Sequence, residues 1–140
     1  MQQRLTIVGL GVSDLKKATH FYETAFGWVK MPASNDFITF FQLNGILLSL
    51  YPNDKLAEDA TVSPEGSGFK GFTLAHNVRS EQEVDELIET LRNKGVTIVK
   101  EPQKVAWGGY SSYVEDLDRN LWEIAYNPYM TFDDQGNVAG

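Results

Sequence analysis

The hydrophobic pattern of the first half switches from a strand period to a helix period and back. Residues 5–12 predict a strand, and apolar side chains within 15–26 then recur at helical spacing. Ser13-Asp14 supplies an N-cap for this helix, and Gly27 is typical of its end. Three strands are predicted at 28–31, 36–43 and 46–51, with Asn44-Gly45 as a type I′ hairpin turn between the last two. The first half is therefore β-α-β-β-β.

The second half repeats this order. A strand at 71–78 precedes a helix whose Ser80 and Glu83 form a capping box, and Gly95 ends that helix. Further strands are predicted at 96–100, 110–115 and 121–127, with a turn at 116–120. Residues 53–69 lack a clean period and are predicted to be a linker, with one or two helical turns at 55–60. Residues 129–140 form a polar tail.

The two halves can be superposed in sequence, because residues 7–12 fall on residues 73–78. An internal repeat is a strong indication of architecture. The sequence predicts an α+β fold in which tandem βαβββ modules, about residues 4–52 and 70–128, form curved mixed sheets that enclose a cleft. A chain of 140 residues is the size of a single domain.

Two motifs give the chain a resemblance to a known family. The first resembles that family's opening signature, and the second resembles its closing signature Asp-Pro-Asp-Gly-Asn-x-x-Glu. They are residues 11–15 with 21–22 and 26–28, and residues 116–124. In their order and spacing they resemble the vicinal-oxygen-chelate superfamily of glyoxalases, bleomycin resistance proteins and extradiol dioxygenases, in a metal-poor branch. The resemblance covers about residues 5–128.

The resemblance implies four metal-ligand positions, on the first and last strands of each module. They fall at Ile7, Ser49, Thr73 and Glu123, and only Glu123 is a ligand by type. A divalent ion needs three or more oxygen or nitrogen donors. The chain has no cysteine and two histidines, His20 and His76, which we expect to be structural or surface residues. No metal or other cofactor is therefore predicted.

Strand alternation predicts which side chains line the cleft. They are mostly apolar with a few polar points, as in small-molecule sites, and include Ile7, Ser49, Tyr51, Thr73 and Glu123. Glu123 is a candidate general acid or base. The alternative is a carboxylate that is hydrogen-bonded to a neighbouring hydroxyl and retained from a metal-binding ancestor.

Two aromatic residues beside Gly108-Gly109 are further candidates. We expect Trp107 and Tyr110 at the wall or mouth of the cleft, where aromatic faces stack on flat ligands. Core packing is the alternative for both.

Charge and composition narrow the partners. The net charge of −7 disfavours nucleic acid, and the lack of cysteine excludes disulfides. We see neither an apolar leader nor a run long enough to span a membrane, so a cytoplasmic location is expected.

Three functions remain open. The favoured one is a protein that binds a small organic molecule in the inter-module cleft without a metal, as a drug or metabolite binder. The rival is a lyase, isomerase or dioxygenase of the glyoxalase type, either metal-dependent or using Glu123 as a general base. The third is an interaction module with no ligand. The resemblance also implies a homodimer.

Overall fold

The computed structural model describes residues 1–139 and divides into two compact units, Met1–Gly68 and a second unit that begins at Phe69. The second unit has the order βαβββ, and the first has a related order with one strand fewer and a helix after its last strand; each contains a curved mixed sheet. The predicted α+β fold class is confirmed. Within the described residues no helix is long and apolar enough to cross a membrane.

The first unit contains β1 (Ile7–Val12), α1 (Leu15–Thr24), β2 (Thr39–Gln42), β3 (Leu47–Pro52) and α2 (Asn53–Ala60). Its sheet has the order β1-β3-β2, with β1 parallel and β2 antiparallel to β3. Leu48 and Leu50 of the central strand are fully buried, and α1 packs against that strand. The side chains of Ser49 and Tyr51 point to the opposite face, because successive side chains alternate.

An aromatic cluster forms much of the core of the first unit. Tyr22 of α1 lies at its centre, with ring centroids 5.2–5.8 Å from four neighbouring rings, those of Phe21, Phe26, Trp28 and Phe41. Such separations are typical of favourable edge-to-face and offset contacts. Tyr22 thereby links α1 to the sheet, because its ring contacts both the rings near the helix and that of Phe41 on β2.

The second unit contains β4 (Leu74–Val78), α3 (Glu81–Asn93), β5 (Thr97–Lys104), β6 (Tyr110–Glu115) and β7 (Leu121–Tyr126). The sheet order is β4-β7-β6-β5, and only the β4–β7 pair is parallel. The helix packs on one face of this sheet. The buried apolar side chains of this contact are Val84, Ile88, Leu91, Val114, Trp122 and Ile124.

The predicted helix starts are confirmed. Asp14 is the N-cap of α1 and accepts a hydrogen bond from the Lys17 N–H at 3.0 Å. Ser80 caps α3 by accepting from the Glu83 N–H at 3.1 Å, while the Glu83 carboxylate accepts from the Arg79 N–H rather than from that of Ser80. Gly95, which follows α3, has a φ of +82°.

The strand predicted at 28–31 is absent. A single antiparallel bridge joins Lys30 to Phe41, and Trp28 turns its ring into the aromatic cluster. Pro32 cannot donate a backbone hydrogen bond, so pairing does not extend further along the chain. Packing of the tryptophan and the nearby proline together replace a strand with a bridge.

The strand predicted at 36–43 is shorter, and its hairpin turn differs. The Asn35 side chain accepts from the Phe37 and Ile38 N–H groups, which holds residues 35–38 in a turn, and β2 begins at Thr39. At the Asn44-Gly45 corner only Gly45 has a positive φ, +78°. The turn is therefore not type I′, which requires positive φ at both residues.

The boundaries around β4 and β5 also differ from the prediction. Gly71 has a φ of +82°, a turn conformation, and β4 begins only at Leu74, so Thr73 lies outside the strand. By contrast, β5 continues through Pro102 to Lys104, with irregular pairing between Lys100 and Gln103. Proline is tolerated there because β5 is the edge strand. The predicted linker 53–69 contains the two-turn helix α2.

Candidate functional site

The face of the second sheet that lies opposite α3 carries a polar group of side chains. Across β6 and β7, Tyr113 is paired with Glu123, and across β4 and β7, Ala75 is paired with Glu123. Lys100 of β5 is paired with Tyr113 on its other side. These residues follow the alternation that places the buried Trp122 and Ile124 on the helix side. We call this surface the Glu123 face.

Glu123 is part-buried and paired with a hydroxyl. The Tyr113 hydroxyl donates a hydrogen bond to Glu123 Oε2 at 3.0 Å. Lys100 Nζ lies 5.9 Å from the centroid of the Tyr113 ring, within range of a cation–π interaction. A carboxylate, a phenol and an ammonium group therefore follow one another across three strands. Together they can accept from, donate to and electrostatically attract a polar ligand.

The hairpin between β6 and β7 fixes this arrangement. Asp116 is buried, and its carboxylate accepts from the backbone N–H groups of Asp118 and Asn120 at 2.9 and 2.8 Å and from the Asn120 side chain at 2.8 Å. Arg119 adopts a φ of +61° in this turn. Counting outward from the turn pairs Glu115 with Leu121 and then Tyr113 with Glu123. The hydrogen bonds within this turn thus set the strand register that pairs Tyr113 with Glu123, which we call the dyad.

Two tyrosines of β6 have raised pKa values for different reasons. Burial, and then the hydrogen bond to Glu123, raise the pKa of Tyr113 above its ordinary value of 10.0. The hydrogen bond to Asp85, followed by desolvation, raises the pKa of Tyr110 to about 12. In both cases burial and a hydrogen bond to a carboxylate favour the neutral phenol, with burial the larger cause for Tyr113 and the hydrogen bond the larger cause for Tyr110.

We expect Glu123→Gln to lower the pKa of Tyr113 and to leave that of Tyr110 unchanged, while Asp85→Asn does the reverse. Ultraviolet absorbance of the phenolate measures the titration, and Tyr113→Phe and Tyr110→Phe assign it. Since the folded pKa values exceed the unfolded value, the folded state binds more protons above pH 10. This stabilisation is complete below pH 10 and is lost as the pH rises through the folded pKa of each tyrosine, which for Tyr110 is about 12. Unchanged titrations in Glu123→Gln would contradict the dyad.

The corresponding face of the first sheet is more apolar. Ser49 is paired with Gly9 of β1 and Phe40 of β2. A Cβ added at Gly9 would lie 3.4 Å from Ser49 Oγ, so the serine side chain lies beside the glycine. Ile7 is paired with Leu47, and Tyr51 with Gly11, on the same side. The predicted residues Ile7, Ser49 and Tyr51 therefore share one face of the first sheet.

Other predicted site residues lie elsewhere. The Tyr110 hydroxyl donates to Asp85 of α3 at 2.7 Å, so Tyr110 lies on the helix side of the sheet and not on the Glu123 face. The neighbour of Glu123 on β4 is Ala75 rather than Thr73. Trp107 is half exposed, and its ring lies against Gly109, where any side chain would collide with it. That glycine is required by the position of the tryptophan ring.

The donors around Glu123 do not fit a divalent metal ion. Its neighbours across the sheet are Ala75 and Tyr113, which supply no second carboxylate and no imidazole. Throughout residues 1–139 no three His, Asp or Glu side chains lie close enough together to hold an ion. His20 is exposed on α1, and His76 is opposite Ile124, on the helix side of β7. The absence of a bound metal in the protein stays a prediction.

Sequence reasoning missed Tyr113 and Lys100. The signal for Tyr113 was present, because the predicted turn at 116–120 already pairs it with Glu123 when residues are counted outward. Lys100 had no such signal, since β5 is paired with β6 through two irregularities that shift the register. A β-bulge changes which residues are opposite one another, and its position is not evident from alternation alone.

Comparison with known sequences identifies relatives along most of the chain. A family model described as the Glyoxalase/Bleomycin resistance protein/Dioxygenase superfamily matches residues 4–124. The "Fosfomycin resistance protein FosX" of Listeria monocytogenes is 30% identical over 126 residues, or 86% of each chain. The protein of the same name from Listeria innocua is 28% identical over the same length.

Solved structures agree with this assignment. A glyoxalase-related enzyme from Fulvimarina pelagi is 35% identical and superposes with a TM-score of 0.89 over 99% of both chains. FosX from Listeria monocytogenes is 26% identical, with a TM-score of 0.69 over 92% of this chain and 97% of its own. The match across residues 4–124 and the shared fold show that the chain belongs to the glyoxalase/bleomycin resistance protein/dioxygenase superfamily.

Proposed function

We propose that this protein binds a small organic molecule through the Glu123 face without the help of a metal ion. The observation that carries the proposal is the hydrogen bond from Tyr113 to the part-buried Glu123 carboxylate, with Lys100 beside the phenol. Small-molecule sites typically combine apolar walls with a few placed polar groups. On this face Leu121, Ala75 and Ala125 are the apolar neighbours of the dyad.

The charges on this face make the proposal specific. Glu123 Oε2 accepts a hydrogen bond from Tyr113, and the second carboxylate oxygen can accept from a donor group of a cationic ligand. The chain has 19 acidic and 12 basic residues, and this negative net charge also favours the binding of a cationic ligand. The face therefore suits a positively charged, partly aromatic molecule, and because the family's description names bleomycin resistance, bleomycin is the probe.

A second candidate is fosfomycin resistance, which is favoured by the names of the two curated relatives and by Lys100. Fosfomycin is a small phosphonate anion, so its recognition would rely on the ammonium group of Lys100 and the hydroxyl of Tyr113. The solved relative named as a glyoxalase-related enzyme also keeps catalysis open, with Glu123 as the general base. The two ligand classes thus require opposite charges on the same face.

Calorimetric titration with bleomycin and with fosfomycin distinguishes the candidates. Loss of one charge-assisted hydrogen bond should raise the Kd about tenfold or more. We expect Glu123→Gln to weaken bleomycin and Lys100→Gln to weaken fosfomycin. The controls are Glu65→Gln and Lys16→Gln, which make the same charge changes at exposed positions. If neither compound bound, or if the controls had equal effects, the Glu123 face would not be the site.

The metal-dependent alternative has its own test. Elemental analysis of the purified protein, with melting temperatures measured in Mn²⁺, Ni²⁺, Fe²⁺ and Zn²⁺, should give no stoichiometric metal and no shift that depends on Glu123. A stoichiometric ion that is lost in Glu123→Gln would instead support a metal-dependent lyase, isomerase or dioxygenase. Turnover that survives metal removal but not Glu123→Gln would support the general base.

We also propose that the protein is a homodimer, on the grounds of the family resemblance, and that it does not bind nucleic acid, on the grounds of its net charge of −7. The cytoplasmic location stays a prediction. Light scattering on the eluting protein measures the mass against 15.7 kDa for one chain.

A further inference from the structure

The second unit contains a cavity that is distinct from the Glu123 face. It has a volume of about 320 Å³ and lies where the parallel strands β4 and β7 end, beside the segment after β7. This is at the lower end of the size range of small-molecule sites. Val78 and Tyr126, at the strand ends, belong to its wall. Tyr126 is paired with both Val78 and Tyr110, which places it on the helix side of the sheet, opposite Glu123.

The polar side chains of the cavity wall supply hydrogen-bond donors and no carboxylate. Arg79, Asn127 and Thr131 line it, and the lining contains no aspartate or glutamate. The Asn127 Oδ1 accepts from the Tyr129 N–H at 2.9 Å, and the Asn127 amide nitrogen supplies two N–H donors that a ligand can use. The cavity wall thus contains no carboxylate, although the chain as a whole has 19 acidic and 12 basic residues.

Arg79 is held in place without being neutralised. Its guanidinium lies over the Phe132 ring, 5.6 Å from the centroid, and one Nη donates to the Asp133 carbonyl at 2.8 Å. Among residues 1–139 its guanidinium forms no ion pair with a carboxylate. A guanidinium has five N–H donors, so one bond to a carbonyl leaves most of them for an anion.

The nearby acidic groups are engaged elsewhere. The Asp133 carboxylate accepts from the Asn137 side chain and from the Gln135 and Asn137 N–H groups. These bonds, above all those with Asn137, lower the pKa of Asp133 and keep it ionised within its own turn. Glu83 accepts from the backbone N–H of Arg79 at the start of α3. Neither carboxylate lines the cavity.

The apolar part of the wall suggests the shape of the ligand. Tyr126, Met130 and Phe132 surround the donors with two aromatic rings and a flexible thioether side chain. Flat rings stack on such surfaces, and sulfur makes favourable contacts with them. We propose that this cavity is a second ligand site, one that takes a small organic carboxylate with a flat apolar body, with the carboxylate on Arg79 and the body against Phe132.

Benzoate is the probe, and the intact protein is titrated while backbone amide NMR signals are recorded. We expect saturable shifts at Val78, Thr131 and Phe132 and none at Tyr113 or Glu123. Benzamide has the same shape without the charge and should bind at least about tenfold more weakly. Equal binding of the two compounds, or shifts confined to the Glu123 face, would overturn the proposal.

Variants separate the guanidinium from the rest of the wall. Arg79→Gln should raise the Kd of benzoate at least about tenfold, because the charge-assisted pair is lost. Arg4→Gln makes the same charge change at an exposed position of the first unit and should leave the Kd unchanged. If Arg79→Gln unfolds the protein, Phe132→Leu serves as the second variant. It keeps an apolar side chain in the wall but removes the aromatic ring, and it should also weaken the binding of benzoate relative to the natural chain. Unchanged affinity in a folded Arg79→Gln variant would rule the site out.

Discussion

Replacing Tyr22 with alanine is expected to lower the free energy of unfolding by about 3–5 kcal/mol, the usual cost of removing a large buried aromatic side chain. Tyr22 is 0% exposed, and its ring contacts four other rings. Alanine would leave a cavity that those rigid rings cannot fill, because aromatic side chains change conformation as whole planes. Urea denaturation followed by circular dichroism measures the loss.

The control for this substitution is Phe37→Ala. Phe37 is also aromatic and belongs to the same unit, but its side chain is 74% exposed. We expect a change of less than about 0.5 kcal/mol, as for most surface substitutions. Similar losses in the two variants would mean that the aromatic cluster does not carry the core of the first unit. The slope of the transition should stay the same if only stability has changed.

Asp116→Ala is expected to lower the free energy of unfolding by about 3 kcal/mol, since the hydrogen bonds to a charged acceptor are lost and buried donors are left without partners. The Asp116 side chain is 5% exposed and accepts from Asp118 and Asn120. Asp116→Asn retains one acceptor oxygen and should give an intermediate loss. Thermal and urea unfolding measure both variants.

Asp134→Ala is the matched control, because it removes an exposed aspartate in another turn of the same unit. Its effect should be within about 0.5 kcal/mol of zero. If Asp116→Ala changed the free energy of unfolding as little as Asp134→Ala, the pairing of β6 with β7 would stabilise the turn, and the hydrogen bonds of Asp116 would not set the strand register. Asp116→Ala, unlike Asp134→Ala, should also disturb the Tyr113–Glu123 hydrogen bond, and a change in the raised pKa of Tyr113 would report this.

The parts of the fold that sequence predicted well depend on local chemistry. Asp14 and Ser80 cap their helices through bonds to residues three positions later, so the sequence alone contains both partners. The strand at 28–31 depends instead on whether the Trp28 ring joins a cluster formed by distant residues. Periodicity cannot decide that competition, because tertiary packing overrides local preference.

The candidate site divides in the same way. Glu123 was found through a motif, and its partner Tyr113 follows from the predicted turn. Tyr110 was predicted at the wall, yet three positions separate it from Tyr113, so alternation already places the two on opposite faces. Thr73 was displaced because Gly71 and its turn delay the start of β4, a boundary that composition does not mark.

The strand pairings of the first sheet affect the order in which the two units of the chain fold. All its strand pairings, from Ile7 with Leu47 to Val12 with Pro52, lie within the first 52 residues, and its helices and aromatic cluster belong to the same unit. Domains generally fold as units while synthesis proceeds from the N-terminus. The amino-terminal half can therefore bury its core while the ribosome is still adding the carboxyl-terminal half, which shortens the time for which Tyr22 and Phe41 are exposed to aggregation.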